Sequence, residues 1–265
     1  MEVQGSLAVI TGAGSGIGRA CSTHLAALGA HVALVDIDQP GLQTTERLIA
    51  EAGGSCKVLP ADVTDESSLR LAFEAAVEWQ GPLRILHNNA GIMTPPPPFP
   101  DAPSGSWRKV LEVDLAAVVL GVQLGCELMK QSGGGVIVNT ASMAGLEPFP
   151  ADPIYSAAKG GVVLFTRSLL TLQDEYGIRV NCVCPGIVDT PMAQEQRDHS
   201  EGEARALMES WPLIPAEQVA EALVMLVEDD SLAGQAVRVS LKGNRLVEFP
   251  RLAPMTMGGQ AVPRG

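Results

Sequence analysis

Tyr155 and Lys159, in Tyr155-Ser156-Ala157-Ala158-Lys159, stand four residues apart, which on a helix puts a phenol and an ammonium one turn apart on the same face. A phenol with a pKa near 10 must lose about three units to act as a base near neutrality, equivalent to about 4 kcal/mol of preferential phenolate stabilisation. An ammonium one turn away supplies part of that, so Lys159 is expected to depress the Tyr155 pKa. Ser142 closes the run Val138-Asn139-Thr140-Ala141-Ser142, from which its hydroxyl could hold a substrate oxygen against the phenol. Taken singly, Ser142 is equally well a turn residue, and Tyr155 with Lys159 an exposed helix pair. Taken together the three describe proton transfer at a substrate oxygen.

The segment Thr11-Gly12-Ala13-Gly14-Ser15-Gly16-Ile17-Gly18 lies between an apolar run and a helical pattern. Glycines there permit a tight turn and let backbone N–H groups reach a pyrophosphate at a helix start. The spacing is T-G-x-x-x-G-x-G and not the six-residue dinucleotide fingerprint, because Ile17 occupies the third glycine position. Glycines serving the turn alone are the alternative. Asp36 ends the next apolar run, 18 residues after Gly18, where a carboxylate can accept hydrogen bonds from both adenosine-ribose hydroxyls and repel a 2′-phosphate. Neither Ser15 nor Ile37 is basic, so NAD is expected over NADP; an Asp capping a local turn is the plainer explanation.

These residues need a frame, and the hydrophobic pattern provides one. Strand-length apolar runs at 7–11, 31–36, 56–60, 83–88, 136–142, 178–184 and 236–240 alternate with helical stretches near 16–29, 41–52, 65–79, 106–131, 154–175 and 216–228. Runs that are continuously apolar indicate strands covered on both faces. The expected fold is α/β, a doubly wound, mostly seven-stranded parallel sheet of the Rossmann kind with helices on both faces. Ser142 then lies at the carboxyl edge, where such sheets bind ligands. Residues 1–249 are expected to form one domain, with a substrate lid near 186–215 that includes a charged stretch from Gln194 to Arg205, and a loosely held tail at 250–265. The prolines from Pro95 to Pro103 mark a rigid, non-helical connection.

The 265 residues carry 30 acidic against 18 basic side chains, a net charge of -12, the wrong sign for nucleic-acid backbone contacts. Five cysteines (Cys21, Cys56, Cys126, Cys182, Cys184) show no zinc spacing and read as reduced, with Cys182 and Cys184 on one face of a strand. His24, His31, His87 and His199 show neither metal spacing nor a triad partner, and His87 reads as packed against the sheet; no metal is expected. The first residues lack a basic leader, and no uncharged apolar run reaches the roughly 18 residues needed to span a bilayer, so a soluble cytoplasmic protein is expected.

The ordered set of T-G-x-x-x-G-x-G at 11–18, Asp62-Val63, Asn88-Asn89-Ala90-Gly91, Ser142, Tyr155 with Lys159, and Pro185-Gly186 followed by Asp189-Thr190 resembles the short-chain dehydrogenase/reductase family over about 240 residues, from Gly5 to Phe249. The resemblance implies that Asp62 and Val63 flank the adenine and that Asn89, Ala90 and Gly91 line the cofactor. It also implies that Ile187, Val188 and Thr190 hold the nicotinamide carboxamide, while Lys159 binds the nicotinamide ribose. Two departures stand out. The family's helical catalytic Asn, whose backbone carbonyl serves a water relay, corresponds to Asp114 in Glu112-Val113-Asp114-Leu115, and the glycine pair usual after the last strand is replaced by Ser240-Leu241-Lys242-Gly243. That ending, with Leu226 to Asp230 before it, resembles the 15-hydroxyprostaglandin dehydrogenase branch.

The implied reaction is hydride transfer between a largely apolar secondary alcohol, or its ketone, and NAD, with Tyr155 as general base or acid. A reductase of 3-oxoacyl-type ketones and a catalytically idle NAD-binding sensor are the rivals. Met143, Leu146, Glu147, Phe149, Ile154, Met192, Trp211 and Leu213 are candidate pocket residues, mostly apolar, with Glu147 placed to meet a polar substituent; each could equally be core packing. The apolar surplus along 106–131 and 154–175 suggests a homodimer or homotetramer through those helices.

Overall fold

Apolar strands need cover on both faces, and the chain supplies it by alternating strand with helix. The structure is a computed structural model that describes residues 1–199, 202, 210–249, 256, 257, 260 and 261. Its elements run β1 (Leu7–Thr11), α1 (Gly16–Ala27), β2 (His31–Asp36), α2 (Gln39–Glu51), β3 (Ser55–Pro60), α3 (Glu66–Gln80), β4 (Leu83–Asn88) and α4 (Ser104–Leu111). A single widened turn of π-helix (Glu112–Ala116) joins α4 to α5 (Ala117–Lys130). Then come β5 (Gly135–Thr140), α6 (Pro153–Ser168), α7 (Leu172–Tyr176), β6 (Ile178–Pro185), α8 (Pro191–His199), α9 (Ala216–Glu228), β7 (Ala236–Ser240) and β8 (Gly243–Leu246). Beyond residue 249 only a short antiparallel pair is described, β9 (Thr256–Met257) with β10 (Gln260–Ala261).

The sheet order is β3-β2-β1-β4-β5-β6-β7-β8. The first seven strands are parallel, as expected, and the order in which strands are added reverses between β1 and β4, opening the crevice where doubly wound sheets bind ligands. The eighth strand is a correction to the seven expected. Leu241 and Lys242 are too short a link to cross over the sheet, and Gly243, at φ +100, lets the chain fold straight back so that β8 pairs antiparallel with β7.

One face of the sheet is packed by Leu25 of α1, Leu42 of α2 and Leu223 and Leu226 of α9, all fully buried. The other is packed by Leu69 and Phe73 of α3 and Val122 and Met129 of α5. Asp65 starts α3 by accepting the Ser68 N–H at 3.0 Å. The long expected helices are interrupted: the 106–131 stretch starts at Ser104 and carries the π turn, and the 154–175 stretch breaks after Ser168 and resumes as α7. Cys182 and Cys184 do share one cluster on β6, and all five cysteines are free thiols. No described helix is long and apolar enough to cross a membrane. Residues 200, 201 and 203–209 of the expected lid, and the tail except for β9 and β10, lie outside the described residues.

Candidate active site

The glycine turn follows β1 and feeds directly into α1, whose first residues, Gly16 and Ile17, line the cavity with N–H groups that have no partner within the helix. Gly12 and Gly16 have φ of +67 and +47, and a Cβ would come within 2.9 Å of Ala90 Cα at the first and of Thr190 Cγ2 at the second. Gly18 serves packing: a Cβ there would meet the Gly12 carbonyl at 2.0 Å. Thr11 locks this turn to the end of β4, its Oγ1 accepting the Asn89 and Ala90 N–H groups at 2.9 and 3.2 Å. Asp36 accepts the Gly14 N–H on one oxygen and the Asp38 N–H on the other, both at 2.9 Å, which aims its carboxylate at the glycine turn. Asp62 accepts both the N–H and the hydroxyl of Thr64, and those bonds hold its carboxyl below the usual range.

Lys159 and Asp114 form the buried base of the site. Lys159 Nζ lies 3.1 Å from Asp114 Oδ2 and donates to the Thr140 carbonyl at 3.1 Å. Asp114 Oδ1 accepts the Ile92 N–H at 2.8 Å. Both side chains are almost wholly buried, and Gly91 is bare at the place where a Cβ would crowd the pair, 3.2 Å from each. The Tyr155 ring stands 5.5 Å from Lys159 Nζ. Burial pushes the phenol up from its ordinary value; the Lys159 charge and a hydrogen bond from Ser142 pull it down, while the Asp114 and Asp152 carboxylates push it up again. Lys159 pulls the phenol down, as expected, but burial outweighs that pull and the net direction is upward. The ammonium already has a carboxylate partner. Burial opposes the charge of Lys159, but Asp114 and Tyr155 outweigh it and keep the ammonium firmly protonated.

A cavity of about 590 Å³ joins these parts. Its wall takes in Gly12, Ser15, Gly16 and Ile17 of the turn, Asp36 and Ile37, Asp62 and Val63, then Asn89, Ala90 and Gly91. Ser142, Tyr155 and Lys159 follow, with Pro185, Gly186, Ile187, Val188 and Thr190 beyond β6. Met143, Glu147, Phe149, Met192 and Trp211 complete the lining and make it mostly apolar. Among residues named from the sequence, Gly14, Gly18, Asp114, Leu146, Ile154 and Leu213 are not on the wall. Gly14 turns its N–H onto Asp36, Asp114 stands behind Lys159, and Leu146 packs into the cluster built on α6 and β6. Glu147 does not offer a lone charge, because Arg238 of β7 holds it at 2.6 Å.

Several wall and support residues escaped sequence reading. Ile92, Met93, Lys109 and Gln196 line the cavity. Asp152 caps α6, its Oδ1 accepting the Tyr155 N–H at 3.0 Å and the Thr94 hydroxyl at 2.8 Å, and its Oδ2 accepting the Thr94 N–H at 2.8 Å. An Asp followed by Pro153 at a helix start was the available signal. The expected lid is tied at its base, where Val188 bridges Ile214 and the two segments exchange backbone hydrogen bonds of 2.9 Å. Among the described residues no group of three or more His, Cys, Asp or Glu is placed to hold a metal.

The model of the short chain dehydrogenase family matches residues 6–201. The chain belongs to that family. It is therefore an oxidoreductase acting on CH–OH groups with a nicotinamide cofactor. It is 34% identical to 15-hydroxyprostaglandin dehydrogenase [NAD(+)] of Bos taurus, over 91% of this chain and 92% of that protein. Among solved structures it resembles levodione reductase, with a TM-score of 0.84 and 31% identity over 89% of this chain and 96% of the other. A variant of actinorhodin polyketide ketoreductase with NADPH gives a TM-score of 0.83 and 31% identity over 90% of this chain and 97% of the other.

Proposed function

We propose that this member of the family is an NAD-dependent dehydrogenase that oxidises a largely apolar secondary alcohol, or reduces the matching ketone, with Tyr155 transferring the proton. One observation carries the reading: Ser142, Tyr155 and Lys159 converge on the same apolar cavity whose wall also includes Asp36 and the glycine turn. The left-handed backbone of Gly12 and Gly16, where a Cβ would collide with Asn89 and Ala90 or with Thr190, fits a tight turn that offers N–H groups to a diphosphate. Backbone N–H groups of Ser15, Gly16 and Ile17 would hold the pyrophosphate, Asp36 the adenosine-ribose hydroxyls, Asp62 and Val63 the adenine edge, and Lys159 the second ribose. Asn89, Ala90 and Gly91 would support the nicotinamide half with Pro185, Gly186, Ile187, Val188 and Thr190. A bound NAD supplies the hydride acceptor.

In alcohol oxidation Ser142 would hold the carbinol oxygen by a hydrogen bond while Tyr155, as a phenolate stabilised by Lys159 and by the positive charge that a bound NAD would bring, accepts its proton; in reduction the phenol returns it. Met143, Phe149, Met192 and Trp211 exclude water from the substrate and favour apolar groups. The Asp36 carboxylate, beside exposed Ile37, repels a 2′-phosphate, which supports NAD over NADP. Val119 of α5 and Leu164 of α6 are 37% and 63% exposed, which supports a homodimer or homotetramer through these helices. Residues 1–249 are read as one domain with a lid at 186–215. Reduced-nicotinamide absorbance, followed with NAD and with NADP over a panel of apolar secondary alcohols, tests the reading. Turnover with NAD at least about tenfold above that with NADP is expected, and no turnover of any alcohol or ketone would remove it.

A further inference from the structure

We propose that Asp114 is a positioning residue that neutralises Lys159 and so moves the working range of Tyr155 to higher pH than an uncharged residue at the same place would allow. The inference rests on the reading that Tyr155 carries the proton, and it deepens that reading by asking what sets the phenol's readiness.

The geometry is specific to a carboxylate. One oxygen of Asp114 accepts the Ile92 N–H at 2.8 Å, and the other faces Lys159 Nζ at 3.1 Å, its ion-pair partner. An amide could satisfy Ile92 just as well, so that bond alone does not explain an acid. The π turn that carries Asp114 swings it under Gly91, where the absent Cβ leaves room for the two charges side by side. In such a buried place a charge acts over short distances with little screening. Lys159 stands 5.5 Å from the Tyr155 ring, close enough to stabilise a phenolate strongly, and its carboxylate partner offsets that field.

The other titratable groups near this one come from three elements. Asp152 at the start of α6 opposes phenolate formation, as Asp114 does. Cys184 of β6 favours the charged form of Lys159. His87 of β4, reached through Thr140, is buried and held neutral. None of them touches Lys159 as Asp114 does.

The test uses the scarcity of tyrosine. The chain has two, and Tyr176 lies exposed on α7, so Tyr176→Phe leaves Tyr155 as the only phenol. Phenolate absorbance is titrated in Tyr176→Phe and in Tyr176→Phe/Asp114→Asn, with circular dichroism on the same samples to restrict the comparison to folded protein. Asparagine keeps an acceptor for Ile92 while removing the charge. A midpoint lower by about one unit or more in the Asn variant is the expected result. A change smaller than about half a unit would overturn the proposal. If the Asn variant does not fold, Tyr176→Phe/Asp114→Ser, which also removes the charge, is titrated in its place, with the same two outcomes. Neither titration needs substrate, so its failure is separable from failure of the proposed activity.

Discussion

The Lys159 ammonium donates to the Thr140 carbonyl at 3.1 Å, which ties the helix bearing Tyr155 to the end of the strand that leads into Ser142. With the Asn139 amide donating to Thr166 Oγ1 at 3.0 Å, this cation joins β5 to α6, and its remaining charge is met by Asp114. Removing the cation strands a buried carboxylate. Lys159→Met is expected to lose about 3–5 kcal/mol of stability, and Lys159→Met/Asp114→Leu to recover much of that. Urea unfolding of the two variants checks it; a double variant no more stable than the single one would show that the pair is not coupled.

Gly18 touches the Gly12 carbonyl so closely that a methyl group has nowhere to go. Gly18→Ala is expected to cost about 1–3 kcal/mol and to displace the glycine turn. Calorimetric titration with NAD should show affinity at least about tenfold weaker, while unchanged affinity would mean the turn does not grip the diphosphate.

Asp152 joins the proline-rich connection to the start of α6 through Thr94 and Tyr155. Asp152→Ala is expected to lose about 1–2 kcal/mol from the cap alone and to lower kcat, with NAD affinity kept because Asp152 is not on the cavity wall. Steady-state kinetics beside NAD titration separates the two. A fall in NAD affinity equal to the fall in kcat would contradict a role confined to α6.

Much of this was legible in the residues themselves. The seven parallel strands follow from continuous apolar runs, and the glycine turn, Asp36, Ser142, Tyr155 and Lys159 meet at one crevice because strand ends of a doubly wound sheet must. Contacts set by tertiary packing were not legible. Nothing local tells that Glu147 meets Arg238, 91 positions away, or that the π turn presses Asp114 onto Lys159. The eighth strand was hidden because a two-residue link and one glycine look like a chain end, and the apolar candidates Leu146 and Ile154 could be told from wall residues only by which way the chain turns after β5.

His87 gives the stability a pH dependence of definite sign. Its Nε2 lies 2.8 Å from Thr140 Oγ1; that hydroxyl donates to Asn89 Oδ1, so the imidazole carries its proton on Nε2. Burial pushes His87 down to about 3 from its ordinary 6.5. Between those values the unfolded chain binds a proton the fold refuses, so this contribution is complete above 6.5 and is lost as pH falls toward 3. About 2 kcal/mol is expected to disappear between pH 7 and pH 5. Urea unfolding at both pH values should show a larger drop for the wild type than for His87→Gln, and equal drops would remove His87 as the source.

The role of Tyr155 is open to the most direct measurement. Tyr155→Phe keeps the ring that lines the cavity and deletes only the hydroxyl, so NAD should bind within about threefold of the wild-type affinity while turnover of any alcohol accepted by the wild type falls by at least about a thousandfold. Paired calorimetric and absorbance measurements on the two proteins decide it. Undiminished turnover with intact NAD binding would contradict proton transfer by the phenol.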